Sequence, residues 1–60
     1  MKTRKFNVHC WWNGYDQTHD VILYEGEKAN IETFAREVQR LNGDENGCST
    51  IIYSWSLIEE

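Results

Sequence analysis

The sequence contains no proline, only two cysteines and six basic residues against ten acidic ones. Its four glycines, Gly14, Gly26, Gly43 and Gly47, are dispersed, so there is no glycine-rich loop of the kind that cradles phosphate. Two cysteines, Cys10 and Cys48, make no disulfide framework. No apolar run approaches the ~20 residues of a membrane span. The opening segment Lys2-Thr3-Arg4-Lys5-Phe6 runs into Asn7 and His9 without an apolar stretch for secretion. The expectation is a cytoplasmic chain with reduced thiols. The net charge of −4 argues against phosphate neutralisation as the main activity and fits a basic protein partner better.

What the chain has in quantity is aromatic surface: three Trp, three Tyr and two Phe in 60 residues. Each buries about 150–250 Å², which matters because so short a chain gains only ~3–5 kcal/mol from one core. A single domain spanning residues 1–60 is expected.

Hydrophobic periodicity divides the chain into four elements. Residues 5–12 alternate, with Phe6, Val8, Cys10 and Trp12 on one face and Asn7, His9 and Trp11 on the other. Asn13-Gly14 signals a turn, read here as a loop running on through Tyr15, Asp16 and Gln17. A second strand occupies about 18–25, where either Val21 and Leu23 or Ile22 and Tyr24 face the core; the first pair is favoured. Beyond Gly26 the period changes. Ile31, Phe34, Ala35, Val38 and Leu41 form a helical stripe, with Asn30 as N-cap and Gly43 as the left-handed residue that ends it. A last strand at about 49–58 alternates Ile51, Tyr53, Trp55 and Leu57 against Ile52, Ser54, Ser56 and Ile58.

The order ββαβ predicts an α+β fold, a three-stranded antiparallel sheet of order 2-1-3 with one helix packed on one face. Ile31, Phe34, Val38 and Leu41 should then pack on Val8, Cys10, Tyr53 and Trp55. The basic start, Lys2, Arg4 and Lys5, falls beside Glu59 and Glu60. At the other end Asp16, Asp20, Asp44 and Glu45 gather, either as an anionic docking edge or as an ordinary solvated loop end. The uncovered sheet face should carry His9, Trp11, Ile22, Tyr24, Ile52 and Ile58. An exposed aromatic patch of that kind marks an interaction surface.

Chemistry-bearing residues are few. His9, Cys10, His19 and Cys48 have the elements of a zinc site, but adjacent strand residues point to opposite faces and no metal-ligand spacing occurs. Cys10 with His19 and Asp20 lacks the local motif of a nucleophile set, and so small a domain has little room for a dry pocket. No enzyme activity, metal or cofactor is expected.

In size and in the order of Phe6–Trp12, Val21–Glu25, the Ile31–Leu41 helix and Ile51–Leu57, the chain resembles very small phage-encoded inhibitors that block larger host enzymes. The resemblance implies a phage or mobile-element inhibitor of the anti-restriction, anti-CRISPR or transcription-inhibitor type. No shared motif assigns residues to that role; the chain's own charge and aromatic pattern would dock it on a basic site of a host nucleic-acid enzyme, with Trp11, Tyr15 or Tyr24 as anchor and Asp16, Asp20, Asp44 and Glu45 as the acidic contacts. Two other readings stand beside it: a single-stranded nucleic-acid binder stacking bases on the open face, and a homodimer pairing its open faces.

Overall fold

A computed structural model describes residues 2–60. The strands β1 (Thr3–Trp12), β2 (Tyr15–Tyr24) and β3 (Thr50–Glu59) form one antiparallel sheet of order β2-β1-β3, with the helix α1 (Ile31–Leu41) between β2 and β3 in the chain. The ββαβ arrangement follows from two period changes in the sequence, from 2 to 3.6 after Gly26 and back after Gly47.

The first connection is tighter than its polar flanks suggest. Trp12 pairs directly with Tyr15, so Asn13-Gly14 is a two-residue hairpin and β2 begins at Tyr15. Asn13 at φ 46° and Gly14 at φ 93° give the double positive φ that matches the right-handed twist of the flanking strands. A Cβ on Gly14 would meet no atom within 4 Å, so Gly14→Ala isolates the backbone cost. We expect about 1–2 kcal/mol of destabilisation, read as a lower urea midpoint at unchanged m-value.

The helix is bounded by its caps. Asn30 is extended, and its Oδ1 accepts from Thr33 N–H at 2.9 Å. At the far end Gly43 (φ 67°) donates to the Arg40 carbonyl at 3.1 Å and Asp44 N–H to the Gln39 carbonyl at 2.9 Å. That pair of bonds is a Schellman stop and requires a residue tolerant of the left-handed region.

The core is one cluster of Phe6, Val8, Cys10, Val21, Leu23, Phe34, Val38 and Ile52. Phe34 is its centre, edge-on to Phe6 at 5.3 Å between ring centroids and tilted against Trp55 at 5.0 Å. Val21 and Leu23 face the core, as favoured. Ile31 and Leu41, the two ends of the apolar stripe, do not: they remain 60% and 43% exposed. A narrow three-stranded sheet engages the middle of an eleven-residue helix and leaves the ends of its stripe beyond the packed patch.

The alternation expected for β3 is broken. Its register against β1 steps from His9↔Ser54 to Cys10↔Ile52, and from Lys5↔Glu59 to Phe6↔Leu57, so Tyr53 and Ile58 are extra residues in two bulges. A bulge inserts one residue and so exchanges the faces of everything beyond it. Ile52 therefore enters the core at 9% exposure, beside Cys10, while Tyr53 leaves it at 52%. Trp55 and Leu57 keep the expected side, opposite Val8 and Phe6.

Candidate interaction face and the loop that closes it

The face of the sheet away from α1 is open. On β1 it carries Thr3, Lys5, Asn7, His9 and Trp11, and on β2 their partners Tyr24, Ile22, Asp20, Thr18 and Asp16. On β3, Ile51, Ser54 and Ser56 lie opposite Trp11, His9 and Asn7. The bulged Tyr53 lies against the His9 ring, 5.0 Å between centroids and tilted by 51°. Ile22, Tyr24, Ile51 and Tyr53 are exposed and Trp11 is half-buried. Among the described residues, no side chain covers this apolar strip, which crosses all three strands.

The electrostatics of this face are lopsided. Asp16 and Asp20 stand along its β2 margin, and Asp20 Oδ1 accepts from Asn7 Nδ2 at 3.2 Å. Among the described residues, Lys5 is the one Lys or Arg whose ladder position lies on this face. Other cations are held elsewhere. Arg4 donates to the Glu27 carbonyl and lies 5.7 Å from the Phe6 ring centroid, Arg36 reaches Glu27 at 3.9 Å, and Arg40 pairs with Glu37 at 2.9 Å.

The four acids expected to gather at one end are divided by the sheet. Asp16 and Asp20 belong to β2 and to the open face. Asp44 belongs to the loop after α1, on the side of Trp12, and Glu45 is exposed next to it. The proposed anchors divide too: Trp11 and Tyr24 lie on the open face, whereas Tyr15 pairs with Trp12 and lies on the helix side. Ile51 and Tyr53 join the open face although simple alternation puts them with Trp55 and Leu57. The sequence holds no local sign of the bulge responsible.

Asp44 organises its loop. Its Oδ1 accepts from the N–H groups of Asn46 and Gly47, both at 2.9 Å. Its Oδ2 accepts from Cys48 N–H at 2.7 Å and from the Trp12 indole Nε1 at 3.0 Å. Hydrogen bonds to the charged form hold its pKa below the usual carboxylate range, that from Trp12 contributing most. The same end is closed by Asn13 N–H to the Ser49 carbonyl at 3.0 Å. It is also clamped by reciprocal amide bonds between Gln17 and Asn42 at 3.0 and 3.1 Å, with His19 Nε2 at 2.8 Å from Gln17 Oε1. None of these long-range polar contacts has a sequence motif.

The four residues with zinc-ligand chemistry are scattered: His9 on the open face, Cys10 in the core, His19 on the helix side and Cys48 in the loop. Among the described residues no group of three His, Cys, Asp or Glu converges on one point. Both cysteines are free thiols, and burial, with Asp16 adding to it, pushes the Cys10 thiol pKa upward. No helix is long and apolar enough to cross a membrane. No protein-family model, curated protein or solved structure matches the chain.

Proposed function

We propose that this chain is a non-catalytic protein-binding module that lays the open face of its sheet on a basic surface of a larger protein. The observation that carries the reading is the composition of that face. Trp11, Ile22, Tyr24, Ile51 and Tyr53 supply an uncovered apolar and aromatic strip, and Asp16 and Asp20 flank it with a single Lys5 in opposition. Aromatic residues anchor interfaces in desolvated pockets, and rim carboxylates steer encounter with a cationic partner.

A non-catalytic role is supported by the fate of the nucleophile. Cys10 is buried, its thiol pKa is raised, and His19 and Asp20 fall on opposite faces of β2. A basic surface large enough for this face is typical of enzymes that handle nucleic acid. Together with the likeness to phage-encoded inhibitors in size and element order, this supports a proposed target among host nucleic-acid enzymes of the cytoplasm.

The test is capture from a bacterial lysate with wild type, Asp16→Lys/Asp20→Lys and Trp11→Ala, followed by binding kinetics on the captured protein. Both charge changes are at exposed positions and should alter stability by less than about 0.5 kcal/mol. The expected result is a basic protein whose association slows on the order of tenfold or more in the charge-reversed variant and weakens as salt rises. Titration of a labelled single-stranded oligonucleotide, read by anisotropy, should show no binding. Oligonucleotide binding that strengthens when the two lysines are added would move the function to nucleic acid.

A further inference from the structure

The two outer edges of the sheet are built differently. Along β2 stand Asp16 and Asp20, and the Tyr24 N–H is taken by Glu27 Oε1 at 2.8 Å. Inward charges and side-chain cover are what natural edge strands use to avoid pairing with other chains. β3 has neither. From Thr50 to Ile58 it reads Thr-Ile-Ile-Tyr-Ser-Trp-Ser-Leu-Ile, without one charge or proline. Among the described residues, no side chain is hydrogen-bonded to a backbone group of residues 51–59. Its bulges at Tyr53 and Ile58 frame a regular stretch, Ser54–Leu57, in which apolar and small residues alternate strictly.

We infer that the β3 edge pairs antiparallel with β3 of a second copy about a twofold axis at Ser56, joining two sheets into one. Residues opposite each other in an antiparallel ladder share a face, so the axis must pass at a residue and not between two. At Ser56 it sets Trp55 of each copy against Leu57 of the other on the helix side, twice by symmetry. These two side chains are 36% and 45% exposed in the single chain, and Phe34 supports Trp55 from within. On the open face the axis brings together two serines, which fit without crowding.

Charge and length agree with this occupant. Antiparallel pairing sends Glu59 of each copy towards uncharged Tyr53 of the other, whereas a parallel pairing would stack like charges. The molecule measures 33 × 19 × 15 Å between Cα extremes. About the Ser56 axis the ladder can run from Ile52 of one copy to Glu60 of the other, most of the length of β3. The pairing also runs the two open faces together and does not depend on what binds them.

Sedimentation equilibrium over a wide concentration range, with amide hydrogen exchange at its two extremes, tests the pairing. Wild type should approach twice the chain mass, and β3 amides should gain protection with concentration while β2 amides do not. Ser56→Lys, at an exposed position, should raise the dissociation constant at least tenfold with an unchanged far-ultraviolet spectrum. Trp11→Lys on the open face should leave the dimer intact. A wild type monomeric throughout, protection arising at β2, or a dimer lost in Trp11→Lys but not in Ser56→Lys would each overturn the proposal. If Ser56→Lys does not fold, the wild-type exchange pattern decides it.

Discussion

Truncating Phe34 to alanine is expected to abolish the cooperative thermal transition. Phe34 is fully buried and contacts aromatic rings on both β1 and β3, Phe6 and Trp55. Phe→Ala in a core costs about 3–5 kcal/mol through lost transfer energy and the cavity left behind. A chain of this size has roughly 3–5 kcal/mol in total, so the substitution consumes its stability. Ile31→Ala is the control. It removes a residue of the same helical stripe, but one 60% exposed, and should shift stability by less than about 1 kcal/mol. Circular dichroism melts of the two variants decide the matter. A Phe34→Ala protein melting like the parent, or an equally severe Ile31→Ala, would show that a different helix face meets the sheet.

The second large effect is expected at Asp44, which a reading of the sequence alone places at an anionic docking edge or an ordinary solvated loop end. Asp44→Asn keeps the shape of the side chain and an acceptor for Asn46 and Gly47. It turns the other acceptor into a donor aimed at two donors, Cys48 N–H and Trp12 Nε1. A part-buried indole N–H then loses its partner, a loss larger than that of an ordinary hydrogen bond. The melting temperature should fall well below that of Glu45→Gln, the exposed neighbour. Because the folded pKa of Asp44 is depressed, its contribution is fully present above the unfolded carboxylate value of about 3.9. It is lost as pH falls from there through the folded value. Wild type should therefore lose stability below about pH 4, and Asp44→Asn should show a shallower slope over the same range. Parallel slopes would mean that the carboxylate is not what closes the loop.

What was legible in the sequence was whatever a local rule governs. Asn30 and Gly43 bracket α1 because caps act within a few residues. Phe6, Val8 and Cys10 declare the inner face of β1 by strict alternation, and one short hairpin plus a crossover leaves few arrangements besides 2-1-3. The failures come from two sources. Tyr53 and Ile58 each add a residue to β3 without any charge, glycine or proline to mark the step, and a period-2 reading carries straight through them. Tyr15-Asp16-Gln17 looks like loop by composition, yet all three hold strand positions because cross-strand and tertiary partners, Trp12 for Tyr15, Trp11 for Asp16 and Asn42 for Gln17, outweigh local preference. Asp44 was hidden for a related reason. Its defining partner, Trp12, lies 32 residues earlier in the chain, and nothing at either position advertises the other.

The three indoles occupy three separate environments. Trp12 is hydrogen-bonded to a carboxylate at the closed end, Trp11 is half-buried on the open face, and Trp55 lies between Phe34 and the free edge of β3. The intrinsic emission of the chain is therefore a sum of three independent reporters. Keeping one tryptophan and replacing the other two by phenylalanine yields optical probes of loop docking, face occupancy and edge pairing. With them, acid opening of the Asp44 loop, arrival of a partner and association of two copies can be timed apart in one spectrometer, without an added label.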